Sequence, residues 1–130
     1  MDDAPRADAA FPRQVCGRYA RAADLLGKRW SVTVVAVLAD GTSRFNGIRH
    51  AVPGISPKLL SERLRELEAA GVVERRVVPT TPVSIEYVLT AKGRALRDVV
   101  DALQQWADDW VEERPTPPRP SAPARRRAVG

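Results

Sequence analysis

One cysteine, Cys16, and one histidine, His50, are all that 130 residues supply of the softer metal ligands. A lone cysteine makes no internal disulfide, and one Cys with one His falls short of a four-ligand zinc cage. No carboxylate spacing suggests another metal site, so neither metal nor cofactor is expected. No apolar run nears the roughly 20 residues that span a bilayer. The start, MDDAPRADAAFPRQ, is polar and initially acidic, unlike a secretory signal. The chain is therefore expected to be cytoplasmic, with no membrane partner. An enzyme needs a nucleophile with its base, or paired carboxylates in a pocket. His50, near a turn, suits a surface position or a backbone contact better than a base, and no enzyme is expected.

Acids are missing from residues 114–130, which hold five arginines (Arg114, Arg119, Arg125, Arg126 and Arg127). Setting those aside from the net +5 leaves 16 basic and 16 acidic residues, a neutral body. Its signs are segregated. From Lys28 to Arg97 there are 12 basic and six acidic residues, and from Asp98 to Glu113 six acidic and none basic. Charge runs are often only solvated faces, but a basic half beside an acidic last helix suits a surface that meets polyanions.

The 44% hydrophobic content allows one modest core. Residues 1–13 read as a disordered arm, 14–112 as the folded domain, and the Pro/Arg-rich 113–130 as a disordered tail. Val15, Tyr19, Ala22 and Leu26 recur at helical spacing up to Gly27. Trp30, Val34, Val37 and Leu38 predict a second helix, ending near Asp40-Gly41. Ser43 is placed as the cap of a short third helix that buries Phe45, Ile48 and Val52 and closes at Pro53-Gly54.

A fourth helix opens with Ser56 as N-cap and Pro57 at the first helical position, and stops at Gly71. VVERRVV and VSIEYVL read as two strands of a hairpin with the tip PTTP. In the second strand, Ile85, Tyr87 and Leu89 alternate with Ser84, Glu86 and Val88, predicting one buried and one wetter face. Thr90 caps a last helix over about 91–112, whose stripe includes Leu96, Val99, Val100, Leu103, Ala107, Trp110 and Val111, with Trp106 beside it. The fold class is α+β, mostly α: a winged helix-turn-helix with an extra helix at each end.

In the fourth helix, Leu60, Leu64 and Leu67 fix the core side. At about 100° per residue, Lys58, Glu62 and Arg65 point away from it, with Ser61 at its edge. Lys and Arg find guanine acceptors or phosphates in a major groove, and Ser serves either edge. The expected DNA contacts are Arg44, Ser56, Lys58, Ser61 and Arg65, with Arg75, Arg76, Thr80 and Thr81 from the hairpin. Lys58–Glu62 pairing on a merely solvated face is the plainer alternative. A winged-helix module for protein or RNA is another. The two-tryptophan last helix carries more apolar surface than so small a domain covers. Val15, Tyr19, Leu103, Trp106 and Trp110 are therefore expected at a homodimer interface, the alternative being that the tryptophans fold back on their own chain.

The segments LLGKRW, DGTSRFNGIRHAVPGISPKLLSERLRELEAAGVVERR and TPVSIEYVLTAKG resemble the HxlR family of bacterial transcription regulators, over about residues 16–110. The resemblance implies a dimeric winged helix-turn-helix on a pseudo-palindromic double-stranded DNA operator, read here as a repressor. Cys16, 14 residues before Trp30, matches the position of the sensing cysteine in members that respond to quinones, aldehydes and oxidants. Those members usually have Cys-Pro, whereas Cys16 precedes Gly17, and the second, C-terminal cysteine that some of them carry has no counterpart in this sequence. Nearby Arg13, Arg18 and Arg21 and a helix start favour a thiolate. A small electrophile or oxidant is thus an expected partner, against the alternative of an inert buried cysteine.

Overall fold

The computed structural model describes residues 14–112, so the arm expected at 1–13 and the tail expected at 113–130 lie outside the described residues. Contacts divide the chain after Val100. The larger unit holds α1 (Gly17–Gly27), α2 (Ser31–Ala39), α3 (Phe45–Ala51), α4 (Pro57–Ala69), β1 (Val73–Val78), β2 (Ser84–Leu89) and α5 (Ala91–Arg94). It also holds the first turn of α6 (Arg97–Trp110). This is the order of a winged helix-turn-helix, with β1 and β2 as an antiparallel wing.

The core forms around α2, whose sequence SVTVVAVLA is apolar on nearly every side, the mark of a central helix. Val34, Val35 and Leu38 meet Ile48 from α3, Leu60, Leu64 and Leu67 from α4, and Val72, Val73 and Leu89 at the root of the wing. The three leucines of α4 are 0%, 1% and 0% exposed, each burial worth about 1.5–3 kcal/mol. Ser56 caps α4 as expected, its Oγ accepting the Leu59 N–H at 3.0 Å. Gly71 ends the helix in the left-handed region at φ 79°, which a side chain would oppose.

Four local expectations fail. Trp30 does not begin α2 but precedes it, in the left-handed conformation at φ 82°. Ser43 does not cap α3; Arg44 holds that position without a side-chain cap. Backbone pairing has taken this segment, since the Tyr87 N–H donates to the Ser43 carbonyl at 2.8 Å and Arg44 bridges Glu86. The wing thereby gains a short third edge.

β2 lacks the expected two-faced burial: Ser84 to Val88 are all half-buried and only Leu89 is buried. A ribbon rooted in the core only where Val73 pairs Leu89 has no second layer to sort its faces. The last helix is broken into α5 and α6, because α5 docks on the end of α4. Thr90 donates its hydroxyl to the Gly71 carbonyl while accepting the Gly93 N–H, and Lys92 Nζ donates to the Ala70 carbonyl at 2.7 Å. The Leu96 N–H turns back to the Gly93 carbonyl, a tight turn where a straight helix would continue.

Gly93 makes this docking possible. A Cβ there would lie 2.1 Å from the Val72 carbonyl oxygen, a backbone atom that cannot swing aside. Gly93→Ala is expected to lose about 1–3 kcal/mol of stability by forced overpacking. Gly27→Ala, where a Cβ meets nothing within 4 Å, should hold or slightly raise the midpoint. Urea denaturation followed by circular dichroism compares the two.

Candidate nucleic-acid interface

With its leucines inward, α4 presents three further strips. Lys58 and Arg65 are exposed on the strip opposite the core, with Glu62 half-buried between them. Nothing in the described chain covers the two cations. Ser61 is half-buried, because it sits on the flank that faces the wing. A small cleft of about 120 Å³ separates that flank from the wing, lined by Ser61, Arg65, Glu68, Arg75 and Tyr87.

The wing arginines part company. Arg75 pairs Tyr87 and faces the cleft, beside Arg65. Arg76 is one residue on and therefore on the other face, where it meets Glu74 at 3.3 Å. Its cross-strand partner is Glu86, whose other neighbour in register is Arg44. Arg44 is exposed at the start of α3. The structure thus groups Lys58, Ser61, Arg65 and Arg75 around α4, and Arg44 with Arg76 about Glu86. Thr80 and Thr81 are exposed at the tip, apart from both groups, and the Thr80 hydroxyl donates to the Pro82 carbonyl at 2.8 Å. Ser56 is exposed, but its oxygen serves the cap, which leaves the hydroxyl proton for a phosphate.

The opposite flank of α4 carries residues that the sequence reading passed over. Arg63 Nε donates to the Arg29 carbonyl at 2.7 Å, and its Nη1 lies 3.2 Å from Glu66 Oε1. Glu66 Oε2 receives Lys28 Nζ at 3.1 Å. That Lys28 hydrogen bond, then the Lys28 and Arg63 charges, hold the Glu66 carboxyl below its ordinary range. Projecting Arg63 about 60° from Leu60 would have placed it beside the core rather than toward DNA. Its i,i+3 pairing with Glu66 was readable too, whereas the Arg29 carbonyl, 34 residues earlier, had no such signal.

Cys16 is exposed at the N-cap of α1. Its thiol makes no fully formed cap hydrogen bond. Even so, the Tyr19 N–H, then the Arg18 guanidinium and the Arg18 N–H, favour the anion and lower its pKa. Val15 and Tyr19 in the larger unit are 65% and 69% exposed, and Leu103, Trp106 and Trp110 in the smaller one are 50%, 57% and 75% exposed, high values for apolar side chains. Among the described residues no cluster of three His, Cys, Asp or Glu could hold a metal, and no helix is long and apolar enough to cross a membrane.

Residues 25–115 match the family described as HxlR-like helix-turn-helix. From Bacillus subtilis, the HTH-type transcriptional regulator YodB is 48% identical over 98 residues, 75% of this chain and 88% of that protein. The uncharacterized HTH-type regulator YvaP of the same organism is 46% identical over 99 residues, 76% and 92% of the two chains. Among solved structures, reduced B. subtilis YodB superposes with TM-score 0.67 at 47% identity, covering 76% of this chain and 97% of that one. Quinone-bound YodB gives 0.63 at 45% identity, over 74% and 100%. The redox regulator HypR in its oxidized form gives 0.68 at 33%, over 76% and 99%. A family match over residues 25–115, with relatives of 46–48% identity over three quarters of the chain, makes this protein a member of the HxlR-like family of DNA-binding, non-enzymatic transcriptional regulators.

Proposed function

We propose that the protein is a cytoplasmic repressor that binds a pseudo-palindromic operator as a homodimer and answers to oxidants or electrophiles through Cys16. The observation that carries the operator reading is the α4 surface: Lys58 and Arg65 open to solvent, back to back with three buried leucines. A rigid helix so placed can enter a major groove, while Arg44, Arg76 and the wing tip address the backbone that sets its register. Occupancy of a promoter by such a dimer would block transcription.

Support for the homodimer comes from the exposed stripe of Leu103, Trp106 and Trp110 and from α1, which has no buried residue. An open groove of about 620 Å³ runs beside α1, lined largely by Leu25, Leu26, Val72 and Leu96. Apolar surface of this extent is more stable against a second copy than against water. For sensing, the support is the exposed, acidified thiol of Cys16, together with structures of YodB bound to quinone and treated with diamide.

Lys58→Ala is expected to weaken binding to the duplex upstream of the protein's own gene, and to reduce the slope of log K against log salt by about 1. Arg65→Ala should cost about 1–3 kcal/mol with relaxed base preference at one position, if it reads a guanine. Fluorescence anisotropy over a salt series measures both. Duplex binding indifferent to both changes would favour the protein- or RNA-binding module instead. Trp110→Glu should shift the sedimentation coefficient from dimer toward monomer. Cys16 should react with iodoacetamide along a pH curve whose midpoint lies below that of an ordinary thiol. Operator affinity should then fall in the modified protein, while Cys16→Ser binds but no longer responds.

A further inference from the structure

The flank of α4 that faces neither core nor DNA holds an arrangement the regulator's general description does not use. Helix α1 ends at Gly27, and only Lys28, Arg29 and Trp30 separate it from α2. All three are engaged. Lys28 reaches Glu66 at 3.1 Å and the Arg29 carbonyl receives Arg63 Nε at 2.7 Å, both partners lying on α4. Trp30 adopts φ 82°, a left-handed conformation that costs a non-glycine residue about 1–3 kcal/mol unless its surroundings impose it. Its half-buried ring lies under the α3–α4 turn, where a Cβ on Gly54 would stand 3.6 Å from the ring edge. The Arg29 guanidinium stacks over the same ring at 4.7 Å from its centre.

These ties add to a light attachment, in which α1 packs beside α2 and sends the half-buried Leu25 against the core. None of its residues is buried, and an open groove separates much of its inner side from Ala70 and Val72. Arg63, by contrast, is only 13% exposed in its side chain, and its guanidinium is spent on Glu66 and the Arg29 carbonyl. Directed into the protein, it is poorly placed to meet a phosphate. We infer that Arg63 and Glu66 are positioning residues, latching the α1–α2 junction to the reading helix so that α1 and α4 move as one piece. The inference rests on the dimeric operator reading. If two copies meet through α1, the separation of their reading helices depends on the α1–α4 angle, which the latch helps to hold together with the packing of α1 on α2. Half-sites lie about 34–36 Å apart, and each added base pair moves them by about 3.4 Å and turns them by about 35°. A latched dimer should resist that change, and an unlatched one should tolerate it.

The test uses the full chain, Arg63→Gln and Glu66→Gln, and two duplexes: the natural upstream operator and the same operator with one base pair inserted at its centre. For the wild type, the insertion should weaken binding by about tenfold or more, the scale of a lost base contact. In Arg63→Gln the natural operator should be bound more weakly and the insertion penalty should shrink to within about threefold, with the salt slope unchanged because no phosphate contact is lost. Arg63→Lys, which keeps the charge but not the fork, should fall between. Thermal denaturation checks that each variant is folded at the assay temperature, and Glu66→Gln carries the test should Arg63→Gln not be. A full insertion penalty in the folded variants overturns the latch, as does a salt slope reduced by about one unit in Arg63→Gln. A wild type indifferent to the insertion sinks the dimeric operator reading, and the latch with it.

Discussion

Burial of Leu60, Leu64 and Leu67 is the constraint from which the rest of the molecule takes its orientation. Those side chains lie within one narrow arc of α4, so once they are packed against α2 and α3 the rotation of the helix is no longer free. Every other residue of the helix then has an assigned task. The strip opposite is left to solvent, the Ser61–Glu68 side borders the wing, and the Arg63–Glu66 side meets the α1–α2 junction. Rotating the helix by a single residue would bury a charge and expose a leucine. The cost of that mistake, several kcal/mol at each site, is what makes the face dependable.

The charge distribution follows the same division. A neutral body with its cations gathered between Lys28 and Arg97 has no net charge with which to attract nucleic acid, only a local excess of one sign along the chain. Some of those cations are occupied inside the protein: Arg63 on Glu66 and Arg29, Lys92 on the end of α4, Arg94 on the Leu89 carbonyl. Lys58, Arg65 and Arg44 are exposed instead. Counting arginines and lysines therefore overstates the DNA-facing charge, and the packing decides which of them are available.

The sequence was most legible where structure is local. The cap at Ser56, the stop at Gly71 and the leucine arc of α4 each follow from a few adjacent residues, and each stands as read. Where one segment is claimed by another, local signals failed. Ser43 looked like a cap, but its backbone is pulled to the edge of β2. The last helix looked continuous, but Gly93 lets it pack so tightly on Val72 that it must turn. Trp30 matched a helical stripe, yet the docking of its ring beneath the α3–α4 turn puts it outside the helix. The separation of Arg75 from Arg76 could have been read, because adjacent strand residues face opposite sides. The Arg63–Arg29 bond could not, since it joins residues 34 apart with no pattern between them.

These features give α1 an unusual mechanical position. It is a helix of 11 residues, about 16 Å long, with no fully buried side chain and with the half-buried Leu25 packed against the core. Cys16 stands at its outer end, and the junction tied to the reading helix at its inner end. Between the inner end and α2 the backbone is held in the left-handed region at Trp30. Strain of that kind favours two arrangements over a continuum, since the residue must either keep its constrained conformation or leave it. Helix α4 is thus held by leucines on one side and by hydrogen bonds and ion pairs on the other. The leucine core is insensitive to salt, whereas the Lys28–Glu66 and Arg63–Glu66 pairs, partly open to solvent, are screened by it.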